Sequence, residues 1–217
     1  MKQLIILFSV LFLTSCAGWS GQAKIYKTIP SDSERIIQSS AGAQISAKHT
    51  TGIYPFLSYE ATRTRFGGQS SAGDIDLWGF GFGIERPIHK NVSLFCQVGW
   101  YQPAGDSNGK VLKFPADPGA EGLWIYLNQN LVPPFNRIDF PLYSLEYSGN
   151  IGGVIGANFE MPISNNISFS LSTAYRYLQL REKIRGMFSL ENPDSWCFYS
   201  DRDFGGWLIG GIIELRF

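Results

Sequence analysis

Seven ionisable residues, Glu60, Glu85, Glu146, Glu160, Arg176, Glu214 and Arg216, each fall opposite the apolar register of a segment in which polar and greasy residues alternate. Placement by coin toss between two faces would do this on the order of once in a hundred. Carboxylates and guanidinium groups gathered on one enclosed face must pair or change protonation, so the chemistry they offer is a ladder of salt bridges or a path for protons or small ions. Acyl transfer would instead need a Ser hydroxyl activated by a His. The chain has two histidines, His49 and His89, and both fall in short turn-like stretches. Cys96 and Cys197 are distant in sequence from either histidine, so metal-ligand spacing is absent. The Gly79-Phe-Gly-Phe-Gly83 run lacks the strand-turn-helix context of a phosphate cradle and reads as close packing. No catalytic residue, metal or cofactor is expected.

The elements that position these residues are strands. Trp78, Phe80, Phe82 and Ile84 alternate with Gly79, Gly81, Gly83 and Glu85, a glycine density that no helix would tolerate. Similar alternation runs through 53–62, 91–101, 150–161, 167–177 and 207–217, which makes six strands. A seventh, descending strand is predicted over 37–48, where Ile37, Ser39, Ala41, Ala43, Ile45 and Ala47 share a face. Its ascending partner must come from 22–30, although Lys27 there shares a face with Ile25 and Ile29. Arg63, Arg65 and Arg181 also fall in the apolar register, toward the far ends of their segments.

Connections alternate short and long. Tight turns are predicted at 49–52, 87–91 and 162–167, with long stretches at 67–74, 104–141 and 182–203 between them. Trp78, Trp100, Tyr177 and Trp207 each lie about nine to eleven residues above a tight turn, near 25 Å for tilted strands, as one aromatic girdle of a membrane barrel would. By this register Cys96 faces lipid and Cys197 lies in a loop, so a disulfide is not expected. Aromatic residues make up 15% of the chain and charged residues 17%, with 24 Gly, which suits lipid-facing strands around a crowded lumen. Basic and acidic residues cancel at 18 each, so nucleic-acid binding is not indicated. No stretch reaches 18 apolar residues, which excludes a transmembrane helix.

Both ends add address signals. Met1-Lys2 followed by the apolar run 4–13 has the form of a secretory signal. Leu13-Thr14-Ser15-Cys16 resembles the lipobox of bacterial lipoproteins, which implies lipid attachment at Cys16 and, with Ala17 next, outer-membrane delivery. The closing segment, alternating from Trp207 to a terminal Phe217, resembles the last strand of bacterial outer-membrane barrels, in which that ending is an assembly signal for the barrel assembly machinery.

Taken together, the mature chain resembles the small eight-stranded outer-membrane barrels of the OmpA/OmpX-like type, an all-β, antiparallel, up-and-down, transmembrane architecture. The resemblance implies a signal peptide at 1–15, an anchor segment with a first strand within 16–35, and a barrel over 36–217 with external loops at 104–141 and 182–203. It also implies a bacterial outer-membrane location among lipid and lipopolysaccharide. The expected role is structural or surface interaction, through an extracellular ligand of loops that carry Val111, Phe114, Trp124, Trp196, Phe198 and Tyr199. Two alternatives remain open. Some barrels of this type hydrolyse or transfer lipid A acyl chains with a His near the outer leaflet, but His49 and His89 fall at the opposite end; the other alternative is a narrow solute channel.

Overall fold

The computed structural model describes residues 18–31, 40–64, 73–104, 108, 111–113, 142–187 and 196–216, and among these the chain forms twelve strands in two sheets. Eight strands close a barrel: β1 (Trp19–Pro30), β2 (Ser40–His49), β3 (Ile53–Thr64), β4 (Gly73–His89), β5 (Val92–Ala104), β8 (Asn150–Pro162), β9 (Ile167–Tyr177) and β12 (Gly206–Arg216). All neighbours are antiparallel. The first and last strands pair from Ser20 and Arg216 to Pro30 and Gly206, so no barrel edge is left to hydrogen-bond with lipid, which offers no partners. Tight turns link β2 to β3, β4 to β5 and β8 to β9 at one rim. In the first of these, Gly52 takes a φ of 81° and its N–H donates to the His49 carbonyl at 2.8 Å.

Strand limits differ from the sequence reading at two places. The first strand begins at Trp19, before the predicted start at 22, because Trp19 and Ser20 still pair with His49 and Lys48. Its even residues Lys24, Tyr26 and Thr28 are buried and its odd residues Ile25, Lys27 and Ile29 exposed, so Lys27 does lie on the apolar face. β4 continues through Pro87 to His89, where a tight turn was predicted from 87. A register shift between Pro87 and His89 lets the proline remain in the ladder without donating.

Alternation sends apolar side chains outward. Phe82 and Ile155 are 68% exposed, and Ile25, Phe80, Val98, Leu171 and Ile213 lie on the same outer surface, a contiguous apolar area too large for a water-facing protein. Toward the rim with long connections, Tyr59 packs on Trp78 with ring centroids 4.9 Å apart, and Tyr175 on Trp207 at 5.5 Å. Trp100 and Tyr177 are also exposed, as a girdle of amphipathic rings requires.

Inside, large rings lie on glycines. Tyr26 sits opposite Gly42, Tyr54 opposite Gly83, and Tyr101 opposite Gly79 on adjoining strands. A Cβ at Gly79 would come within 2.7 Å of the Tyr101 ring, and one at Gly99 within 2.7 Å of Phe56. The run of glycines in β4 therefore makes room for aromatic rings, and the lumen is packed.

The four remaining strands make a separate sheet in the order β11-β10-β7-β6: β6 (Val111–Lys113), β7 (Leu142–Ser148), β10 (Gln179–Met187) and β11 (Trp196–Asp203). They belong to the two longest connections, so this sheet lies at the outer rim, where β7 touches β5 and β10 touches β8. Leu145, Tyr147, Leu178, Leu180, Ile184 and Phe204 give it a core of its own. Two expectations are corrected here. The stretch 182–203 contributes two strands rather than a loop, so Cys197 lies exposed on β11; like Cys96 it is a free thiol. Glu146 belongs to β7, half-exposed, and does not enter the barrel. The cause is that Leu145 and Tyr147 turn inward to the core of the outer sheet, which inverts the barrel's partition.

Substituting Phe82→Arg places a cation near the middle of the apolar belt and should cost about 2–4 kcal/mol of folding free energy in vesicles, while Ile88→Arg at the inner turn should cost about 0–1. Urea titration of vesicle-folded protein measures both, and equal costs would contradict the assigned depth.

Candidate functional site

The polar groups of the lumen form tiers, the inner and the outer of which are organised by glutamates that alternation turns inward. At the inner rim, Glu214 of β12 accepts from Lys48 Nζ at 2.7 Å, Gln22 Nε2 at 2.8 Å and Arg216 Nε at 3.1 Å. Glu85 of β4 accepts from Lys48 Nζ at 3.3 Å, from Asn158 Nδ2 at 3.0 Å and from the Ser93 hydroxyl. Arg216 also pairs with Glu160, and this pair is partly exposed at the mouth. Around these groups opens a vestibule of about 390 Å³.

Midway, the rings take over. Lys24 is buried, donates to Ser172 Oγ at 2.9 Å and lies 4.9 Å over the Phe95 ring. Gln97 donates to Tyr54 Oη at 3.1 Å. A void of about 10 Å³ lies between Lys24, Gln97 and Asn158, about the room one water needs.

Toward the outer rim, Arg176 of β9 reaches across to Glu60 of β3. Its Nη1 meets Glu60 Oε2 at 2.5 Å and its Nη2 meets Oε1 at 3.1 Å, a bidentate pair with both side chains almost fully buried. Thr28 and Ser40 donate to the same carboxylate from β1 and β2. The guanidinium then donates through Nε and Nη2 to the Phe204 carbonyl at 3.2 and 2.9 Å. Phe204 belongs to the junction with the outer sheet, where its ring meets Tyr147 edge-on at 5.2 Å. There the pattern recurs: Glu182, fully buried, accepts from Arg202, Ser200 and Tyr147.

Of the seven predicted lumen residues, the structure brings Glu85, Glu214, Arg216 and Glu160 together at the inner rim, pairs Glu60 with Arg176 at the outer end, and puts Glu146 elsewhere, 4.0 Å from Arg185. Lys24, Gln22 and the Glu182–Arg202 pair were missed. Their inward register was readable, but Lys27 obscured it in β1, and nothing in the stretch 182–203 announces a core. His49 ends β2 and its ring contacts Trp19 and the Thr51 hydroxyl; His89 ends β4. Among the described residues, no group of acidic, His and Cys side chains could hold a metal. Cys16 and Phe217 lie outside the described residues.

A closed eight-stranded cylinder with a greasy exterior, a polar interior and long connections at one rim defines a small barrel of the bacterial outer membrane. A solved structure shares that fold. The outer-membrane protein OprG of Pseudomonas aeruginosa superposes with a TM-score of 0.54 at 12% identity, over 93% of this chain and 97% of that one. The neisserial surface protein NspA gives 0.44 at 10% identity, over 93% and 98%. Ail of Yersinia pestis gives 0.40 at 14%, over 91% and 99%. No protein-family model and no curated relative matches the sequence.

Glu60→Gln leaves the Arg176 charge buried without its counter-ion and should destabilise the folded barrel by about 3–5 kcal/mol, whereas Glu60→Leu combined with Arg176→Met should recover most of that loss. Urea midpoints of the variants in vesicles decide it.

Proposed function

We propose that the protein is a closed barrel whose task is to hold the outer β-sheet at the cell surface as a binding element. The observation that carries this reading is the continuity of packing at the outer end. Arg176 joins Glu60 in the lumen to the Phe204 carbonyl at the base of the outer sheet, and a Cβ at Gly152 would meet both Leu178 and Tyr101 at 3.0 Å. A lumen filled in this way supports display over conduction. The sheet's water-facing side offers Arg181 and Lys183, whose charged ends lie 5.1 and 5.7 Å from the ring of Tyr199, itself half exposed. Tyr and Arg in such an arrangement are frequent anchors of binding surfaces. The signal peptide, the lipid anchor at Cys16 and the assembly role of Phe217 belong to the same proposal, as a route to the outer membrane.

Purified protein in planar bilayers should give no steady current. Cells displaying it should bind at least one member of a panel of immobilised glycans and matrix proteins, and Arg181→Ser with Tyr199→Ser should reduce that binding at least about ten-fold without altering heat-modifiability on gels. Steady single-channel current, or release of acyl chains from labelled lipid A, would replace this reading with a pore or an enzyme.

A further inference from the structure

We propose that Lys27 and the groove beside it bind a phosphorylated glycolipid of the outer leaflet, the phosphate on the ammonium group and an acyl chain in the groove. Lys27 is exposed on the lipid side of β1, between Ile25 and Ile29, and has no ion-pair or hydrogen-bond partner among the described residues. A cation on that surface is disfavoured unless it meets an anion or reaches the headgroups.

Its height suits an anion. β1 rises from Trp19 at the rim of tight turns to Pro30 at the rim of long connections, so Lys27 lies in the outer half, about 7 Å below Pro30 along the membrane normal. Across the ladder it faces Ile209, two residues from the girdle residue Trp207. Phosphates of outer-leaflet lipid lie at the level of that girdle, within reach of an extended lysine.

The surface beside it suits a chain. Ile25, Lys27, Ala41 and Ile209 border a groove of about 440 Å³ that crosses β12, β1 and β2. Its bed is low because β2 presents only the methyl groups of Ala41 and Ala43 outward. A largely apolar trough bordered by a positive charge that has no partner among the described residues matches an amphiphile with an anionic head. The site is separate from whatever the outer sheet binds, and depends on the long connections being the external ones.

Native mass spectrometry of detergent-purified full-length protein, offered equal amounts of phosphorylated lipid A and its dephosphorylated form, tests the proposal. The wild type and Lys27→Arg should retain the phosphorylated form with about ten-fold preference, and Lys27→Leu should bring the ratio close to one. Lys27→Leu removes a charge from an apolar surface, so its folding, checked by heat-modifiability, should be unimpaired. A ratio near one in the wild type, or an undiminished preference in Lys27→Leu, would overturn it.

Discussion

A carboxylate removed from water costs several kcal/mol unless cations and donors surround it, and this barrel is organised around meeting that requirement. Glu60, Glu85 and Glu214 each collect partners from several strands. Glu60 alone gathers β1, β2 and β9 onto β3. Backbone ladders fix only neighbours, whereas these hubs tie opposite walls and so set how far apart the walls can stand. Once that distance is fixed, Tyr26, Tyr54, Phe56 and Tyr101 fit across the lumen only because glycines lie opposite them. Ionic pairing and ring-on-glycine packing are thus one constraint, and the closed lumen is its consequence.

The outer sheet repeats the device on a smaller scale. Glu182 is held by Arg202, Ser200 and Tyr147, beneath strands whose opposite side meets water. Phe204 couples the two units, since its carbonyl receives Arg176 and its ring meets Tyr147. A surface element anchored in this way is held in place by the same buried charges that close the barrel. This is the physical basis for reading the barrel as a support and the sheet as the working surface.

Much of this was legible in the sequence because a membrane barrel makes period-two alternation costly to violate. Lipid outside and a crowded lumen inside gave seven of the eight barrel strands, the first being placed only as the partner the second requires, and put Glu60, Glu85, Glu160, Arg176, Glu214 and Arg216 on the polar register. The outer sheet was not legible. Alternation reports that a strand has two faces but not what covers each, so Glu146 read like a lumen residue, when Leu145 and Tyr147 are the buried side. The first strand was obscured for a related reason: Lys27 breaks the expected partition because it faces lipid near the headgroups. Which partners a buried Glu or Lys finds depends on register across the lumen, and the sequence carries no direct record of that.

The most direct test of the central claim is the state of the Arg176 guanidinium in the folded protein. Nitrogen-15 NMR of the barrel in micelles, with Arg176 assigned by substitution, should show separate, slowly exchanging Nε and Nη protons, because all three nitrogens are held by Glu60 or the Phe204 carbonyl. Averaged Nη signals exchanging with water as fast as those of a surface arginine would contradict the account.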